Sequence, residues 1–547
     1  MVDSYERLLQ LLQQKNVSIR RLRTLVFGPT TETTRKVLQS LGKNPEAIAA
    51  LDRTGQVAAA ANSDGDSGTA SEPDGDDAKA TDPAITSHQP AKGHGRHGAA
   101  DYSGAEHISV PHQSLKPGDK CPGCDKGHVR KQKEPAPFVH FFARPPIDAK
   151  VFDLEVLRCD ACGKLFTARA PEHTGQQKYD ITAPAMIGLL RYGAGMPHNR
   201  LGKLQSGLGI PLPPSTQWEV IKPQVEVLKP VFDELIRQGA QGELLHNDDT
   251  SMTVLSLVKE INQEKERKEQ QPDKSRKQQA PERTGVFTTN VLSMVQGRQV
   301  ALFFTGRRHA GENIASVLAH RNRDLAPPLQ MCDGLDRNLP KELKTIVSNC
   351  LTHSRRKYVE VAEYFPVECL HVLDVLAKVY KNDALARRDQ MSPDQRLLFH
   401  QQHSGSLMND LKAWIEDQLD SHKVEANGNL GEAMSYMLKR WERLTLFLHQ
   451  PGAPLDNSIC ERALKKAVIH RKNSLFYKTE NGAQAGDIFM SLIHTAELNG
   501  VKPFDYLVAL LSHPNEIKQH PELWLPWNYR QTLDSLEPRQ SAPPQAA

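Results

Sequence analysis

Apolar positions recur at helical spacing from the start of the chain. Leu8, Leu9, Leu11, Leu12, Ile19, Leu22 and Leu25 form one stripe, closed by RRLRTLVFG near Gly28. The stripe reads equally as an amphipathic helix packed on its own protein and as a coiled-coil arm for self-association or DNA contact. Over residues 56–115 Asp, Ser, Gly, Ala and Pro dominate, and large aliphatic and aromatic residues almost vanish. Such a stretch buries too little apolar surface to offset its ordering entropy, so a disordered linker is expected, with His94 and His97 solvated in it. Three helices broken by Gly and Pro follow within 171–240, with Ser215 as the expected N-cap of the last and Gly207 and Gly209 as stop signals for the one before.

The period changes from helical to alternating at residue 243. In ELLHNDDTSMTVL, alternation places Leu244, His246, Asp248 and Thr250 on one face of a strand and Leu245, Asn247, Asp249 and Ser251 on the other. The charged run over 262–282 reads as an exposed hairpin excursion. GVFTTNVLSMV and QVALFFTG predict two more strands, GENIASVLAHR a helix, and PLQMCDG a short buried strand running into Asp333. Strand, strand, strand, helix, strand is the order of the first half of a ribonuclease H-like fold. IVSNCLTHSRRKYVEVAEYF predicts a fifth strand and a helix, and 366–455 a long helical insertion.

The fold class expected from this pass is multidomain α+β. An N-terminal helical arm covers 1–55, the linker 56–115, a zinc ribbon 116–170 and a small helical domain 171–240. The small helical domain reads equally as a DNA-binding helix-turn-helix and as a plain connector. A ribonuclease H-like α/β catalytic domain spans 241–500, interrupted by the helical insertion at 366–455, and a helical segment and tail close the chain over 501–547.

Composition changes this picture little. The 69 basic and 65 acidic residues leave a net charge of +4, so nucleic-acid binding is not announced by the total. No apolar run reaches the roughly eighteen residues of a membrane span, and the N-terminus lacks a secretory pattern, so a cytoplasmic, nucleoid-associated protein is expected. In that compartment the 8 cysteines point to metal or free thiols before disulfides. Cys121 and Cys124 in CPGC, with Cys159 and Cys162 in CDAC, form two CxxC pairs. Each pair lets a tight turn present two thiolates to one ion, and four thiolates close a structural zinc site. FVHFFARP and VFDLEVLRC are the strands expected to form a hairpin between the two knuckles.

Three acids carry the candidate chemistry: Asp248 within a strand, Asp333 at a strand end before Gly334, and Glu461 at a helix start bordering the apolar Leu464 and Val468. Breaking and rejoining phosphodiesters takes two divalent ions, and hard oxygen ligands suit Mg²⁺ or Mn²⁺. Singly, an Asp before Gly marks a turn and a Glu at a helix start serves the dipole; the order and placement of all three raise the metal reading above that. Arg462, Lys465, Lys466, His470, Arg471 and Lys472 crowd the segment after Glu461. They read as a solvated face or, beside three acids, as phosphate contacts.

The stretches HNDDTSMTVL, LQMCDG, CLTHSRRKY, LDNSICERALKKAVIHRKNSLF, SLIHTAELNGVKPFDYLVALL and LWLPWNYR, with RRLRTLVFGP and CPGC…CDAC, resemble the transposases of the insertion-sequence-66 family across nearly the whole chain. The resemblance implies a DDE-type catalytic domain preceded by a zinc ribbon. It places the family's Asp-Glu-Thr motif on Asp248, Asp249 and Thr250, its second acid on Asp333 and its third on Glu461. Asp249 stands where the family carries Glu and is the one neighbour able to displace Asp248; Leu335 stands where an aromatic residue is common. CLTHSRR matches a family motif in Cys350, His353, Arg355 and Arg356, the arginines reading as phosphate contacts or as surface residues of a helix.

The expected function is metal-dependent cleavage and 3′-hydroxyl strand transfer of an insertion sequence. Expected partners are double-stranded DNA (element ends and target), further copies of the chain and accessory transposition proteins. The alternatives are a catalytically silent DNA-binding protein derived from a transposase, and a nuclease of the same fold without strand transfer. Serine and tyrosine recombinases are disfavoured, since no Ser or Tyr nucleophile stands out.

Overall fold

The computed structural model describes residues 114, 116–120, 127–128, 130, 146–158, 165–168, 178–270, 285–341 and 343–536. The expected arm over 1–55, nearly all of the linker, the strand FVHFFARP and all four CxxC cysteines lie outside the described residues. Residues 58–145 form a unit of their own. Within it Lys120 and His128 make an antiparallel bridge, and His128 Nδ1 donates to the Gly118 carbonyl at 2.9 Å. The other unit holds everything below.

That unit's first strands, β1 (Val156–Arg158) and β2 (Leu165–Thr167), pair antiparallel on either side of the second cysteine pair. The expected strand VFDLEVLRC is thus shorter than predicted, and its partner lies after CDAC. Helix α1 (Thr182–Gly188) continues as a π turn over Leu189–Gly193, and α2 (His198–Gly207) follows. Gly209, at φ +77°, takes the left-handed conformation expected after a helix end.

Helix α3 (Pro214–Gly239) begins one residue before Ser215, which therefore lies inside the first turn and is not the cap. Its Ile221, Leu228 and Leu235 recur every seven residues and are fully buried. At about 1.5–3 kcal/mol each, this stripe offsets a cost of similar size from Pro223 and Pro230 within the helix, about 3 kcal/mol apiece. The stripe packs into the same core as the sheet, so the helices of 171–240 share a core with the segment after them. The approach is close at Gly239: Ser293 Oγ donates to its carbonyl at 2.7 Å, and a Cβ there would reach within 3.3 Å of Leu302.

Strand β3 (Leu244–Ser251) is central in a five-stranded sheet. It pairs antiparallel with β4 (Phe287–Val295), which pairs with β5 (Arg298–Gly306) through a two-residue turn at Gln296 and Gly297, both at positive φ. Between β3 and β4 runs α4 (Leu255–Gln270). The charged run from 262 is a continuation of this helix as far as Gln270, and residues 271–284 lie outside the described set. Val254, Leu257 and Ile261 are buried at helical spacing and carry the period through the boundary. After β5 come α5 (Ala310–Leu318), β6 (Leu329–Cys332) and β7 (Ile346–Asn349), the last two parallel to β3.

The strands position the faces. Cross-strand register aligns Asp249 with Thr289 and Phe304, and Asp248 with Asn290 and Phe303. The Phe304 ring packs tilted against Phe232 of α3 at 6.1 Å, and Thr289 accepts from Asn313 of α5, so α3 and α5 cover one face. Helices α6 (Leu351–Val361), α7 (Pro366–Arg388), α8 (Pro393–His403), α9 (Gly405–Asp420), α10 (Asn429–Leu438) and α11 (Trp441–Leu444) follow β7, most of them within the expected helical insertion, around a second core of Leu373, Leu376, Met408, Ile415 and Met434. Helix α12 (Ser458–Ser474) then covers the opposite face of the sheet, where Cys460 meets Asn290, and α13 (Glu480–Leu498) runs along the edge strand β5, where Ser491 accepts the N–H of Phe303. Three short helices, α14 (Pro503–Ser512), α15 (Pro514–Gln519) and α16 (Tyr529–Leu536), end the described chain. No helix among the described residues is long and apolar enough to cross a membrane.

Candidate active site

Asp248, Asp333 and Glu461 converge on the face covered by α12. The β3–β6 pairing runs Leu244 with Leu329 through His246 with Met331, so continuing the register sets Asp248 beside Asp333. Glu461 stands in the first turn of α12 above them. Burial raises the Asp248 carboxyl to about 7, and the neighbouring charges of Asp333, Asp249 and Glu461 push the same way against a hydrogen bond from the Asp249 N–H. Carboxylates held this close resist ionising together unless a cation joins them. The donor set fits one: Glu461 Oε1 is buried with no hydrogen-bond partner, and all three oxygen donors are hard ligands.

Asp249 points to the other face. Its carboxylate is 2% exposed, takes a hydrogen bond from His309 Nδ1 at 3.1 Å, and lies 3.3 Å from Arg337 Nη2. The alternation expected for β3 therefore separates the pair, with Asp249 held by an imidazole and a guanidinium, and Asp248 among the acids.

Buried polar groups hold the Asp333 carboxylate and the elements that carry the other two acids. Asn338 donates to Asp333 Oδ1, and the N–H of Leu335 reaches the same oxygen at 3.2 Å. The Asn338 carbonyl accepts from Asn247 Nδ2 at 2.9 Å and from Gln330 Nε2 at 2.8 Å, which ties the Asp333 loop to β3 and β6. Asn457, fully buried at the N-cap of α12, makes no cap hydrogen bond with its side chain. It accepts from His246 Nδ1 at 2.9 Å and donates to the Asn247 carbonyl at 3.1 Å, and its N–H meets Cys350 Sγ at 3.2 Å. From the insertion, Arg440 Nη2 donates at 3.0 Å to the carbonyl of Gly334 and lies over the Tyr436 ring.

Sequence reasoning singled out the three acids but not the hydrogen bonds that support the elements carrying them. The signal available for Asn247, Gln330 and Asn457 is a side chain with amide donors inside an apolar pattern, which is costly unless it is hydrogen-bonded. Nothing local marks Arg440, which acts on a loop 106 positions earlier.

The proposed phosphate contacts divide. Arg462, Lys465 and Lys472 are exposed on one stripe of α12, and Arg356 is exposed on α6. Arg355 is half-buried. Lys466 is engaged with Glu497 of α13 at 2.7 Å, and Arg471 donates to Thr250 Oγ1 at 3.0 Å and to Ser251, clamping the end of β3. His470 is buried between Tyr192 and Tyr477.

Beside Glu461 stands His353 in the first turn of α6, its Nδ1 3.9 Å from Glu461 Oε1. A ring nitrogen of His353, Cys350 Sγ and a Glu461 oxygen all lie within 4.8 Å of one another. Burial lowers the imidazole's pKa and Arg356 lowers it further, while Glu461 and Asp333 oppose them.

The family model described as Transposase IS66 family matches residues 179–485, from just ahead of α1 into α13. Among curated relatives, Uncharacterized protein y4hP of Sinorhizobium fredii is 24% identical over 406 residues, 69% of this chain and 67% of its own. Uncharacterized protein y4jD of the same organism is 32% identical over 186 residues, 33% of this chain and 35% of its own. Uncharacterized protein y4qI is 28% identical over 194 residues, 34% of each. The chain spans about a third of the length of two of these relatives and about two thirds of the other. Because the family match covers more than half of the 547 residues and takes in β3, β6 and α12 with all three acids, the chain belongs to the IS66 transposase family.

Proposed function

We propose that the chain cleaves DNA strands at the ends of an insertion sequence and joins the freed 3′-hydroxyl to target DNA, with Asp248, Asp333 and Glu461 as ligands of Mg²⁺ or Mn²⁺. The observation that carries this reading is the meeting of three carboxylates from β3, β6 and α12, with Asp248 raised to about 7 and a Glu461 oxygen left unpaired. Bound divalent ions supply activation of a water or a 3′-hydroxyl and neutralise charge at the scissile phosphate.

The chain's own residues orient the rest. Asn338 keeps one oxygen of Asp333 engaged so that the other is directed. Asn457 sets the height of α12, and so of Glu461, over β3. Arg356, Arg462, Lys465 and Lys472 offer exposed charge for phosphates beside the acids. Support for a ribonuclease H-like catalytic fold is the strand order itself: three antiparallel strands, then two parallel to the first, which carries the first acid. Structural zinc on Cys121, Cys124, Cys159 and Cys162 is proposed from their spacing alone. Multimeric assembly on paired ends, with accessory proteins, is proposed from the family.

The test is a strand-transfer reaction with Mg²⁺ on DNA carrying the ends of the element that flanks the gene, comparing the native chain with Asp333→Asn. Joined products from the native chain alone support the reading. Nicks without joining leave a nuclease, binding without nicks leaves a DNA-binding protein, and full activity in the variant removes Asp333 from the site.

A further inference from the structure

We propose that His353 is a direct ligand, through Nδ1, of the divalent ion held at Glu461, which makes this end of the carboxylate cluster a mixed nitrogen and oxygen site. The inference deepens the function proposed above and rests on it.

The geometry is that of two donors waiting on one acceptor. His353 Nδ1 and Glu461 Oε1 are each buried without a hydrogen-bond partner. At 3.9 Å they stand too far apart to bond one another. Two donors that each lie about 2.1 Å from a shared ion can span up to about 4.2 Å. Leaving both atoms desolvated and unpaired is costly, and one ion between them relieves both. Cys350 Sγ completes the same cluster, but it already receives the N–H of Asn457 at 3.2 Å, so we assign it to holding the start of α12.

The elements that bring the pair together are rigid. His353 lies one turn into α6, directly after β7, and Glu461 one turn into α12; the N–H of Leu351 is bonded to the Leu455 carbonyl at 3.0 Å, which fixes the two helix starts to each other. The Nδ1 edge of the imidazole faces Glu461 at 3.9 Å. A nitrogen ligand suits transition ions better than Mg²⁺, whose preference is oxygen, and Mn²⁺ is the one of them that carboxylates also suit. The site is therefore expected to bind Mn²⁺ more tightly than Mg²⁺, with His353 as the source of the difference.

The experiment is Mn²⁺ titration of the full-length chain without DNA, reading bound Mn²⁺ by electron paramagnetic resonance and its ¹⁴N coupling by the pulsed method. The native chain is expected to show a histidine nitrogen coupled to tightly bound Mn²⁺. His353→Gln is expected to lose that coupling and to bind Mn²⁺ about ten-fold more weakly, with Mg²⁺ affinity changed less than about two-fold. Absence of nitrogen coupling in the native chain overturns the inference without recourse to any variant, as does a coupling that survives in His353→Gln. Glu461→Gln and Asp333→Asn separate this from the reading beneath it. If they weaken Mn²⁺ binding and His353→Gln does not, only the histidine assignment falls; if neither weakens it, the carboxylate site falls as well.

Discussion

His246 donates its Nδ1 hydrogen to the side-chain oxygen of Asn457 at 2.9 Å, and this one bond joins the strand of the first acid to the helix of the third. Both groups are buried, and burial lowers the imidazole to about 4, so the bond is made by a neutral ring at physiological pH. Asn457→Ala leaves the imidazole and the Asn247 carbonyl unpaired. A loss of about 2–4 kcal/mol in unfolding free energy is expected, along with weaker Mg²⁺ binding as Glu461 loses its height over β3. Denaturant titration and calorimetry with Mg²⁺ measure the two. A stable variant with native Mg²⁺ affinity would show that α12 is positioned by something else.

Asp248 and Asp249 separate by substitution. Asp249→Asn weakens the contacts to His309 and Arg337 and is expected to cost about 1–3 kcal/mol in stability, with metal affinity within about two-fold of native. Asp248→Asn should do the reverse and remove metal binding while sparing stability. Interchanged results would move the first ligand to Asp249.

Gly311, in the first turn of α5, abuts the chain that carries Asn338. A Cβ there would collide with the backbone carbonyl of Leu339, which has no flexible end to swing away. Gly311→Ala should therefore cost about 1–3 kcal/mol and weaken Mg²⁺ binding several-fold, by shifting Asn338 off Asp333. Unchanged metal affinity would mean that Asn338 does not set the Asp333 carboxylate.

Asp487 of α13 supplies a pH dependence unconnected with metal. It accepts from the Thr305 N–H at 2.7 Å and the Thr305 hydroxyl at 2.6 Å, yet burial raises it from an ordinary 3.8 to about 7. The folded state thus binds this proton more tightly than the unfolded state. Its contribution is favourable below about 4, is lost as pH rises toward 7, and is flat above. The full change is on the order of 4 kcal/mol. Asp487→Asn should remove that slope, so the native chain should lose more stability than the variant between pH 5 and pH 8 in urea unfolding. Parallel curves would refute the assignment.

DNA binding should report which cations are free. Replacing Arg462, Lys465 and Lys472 together with Gln is expected to flatten the dependence of log affinity on log salt by roughly three, at about 0.9 per phosphate contact. Lys466→Gln should leave the slope alone, because Lys466 is engaged by Glu497. A slope unmoved by the triple change would place the DNA elsewhere.

Much of this architecture was legible wherever local pattern and tertiary role coincide. Alternation in β3 sorted Asp248 from Asp249 because a strand's two sides are fixed by its period. Helical spacing around Leu464 placed Glu461 at the edge of a buried stripe. Misreadings arose where local chemistry says little about partners. The charged run from 262 is helical to Gln270, since Lys and Glu are good helix formers and the decisive apolar residues lie upstream at Val254 and Leu257. What no local pattern shows for Lys466 and Arg471 is their intramolecular partners, since Glu497 and Ser251 are distant in sequence. His246 and Asn457 stand 211 positions apart, and no short-range pattern connects them.

The placement of Glu461 on α12 also orders events during synthesis. The sheet and its first two acids are made early, and the helical insertion follows with a core of its own. Until residues 458–498 leave the ribosome, Asn290 and Phe303 have no cover and the two aspartates have no third partner. A nascent chain therefore lacks the third carboxylate for most of its translation, and the cluster is completed in one late step when α12 packs over the sheet.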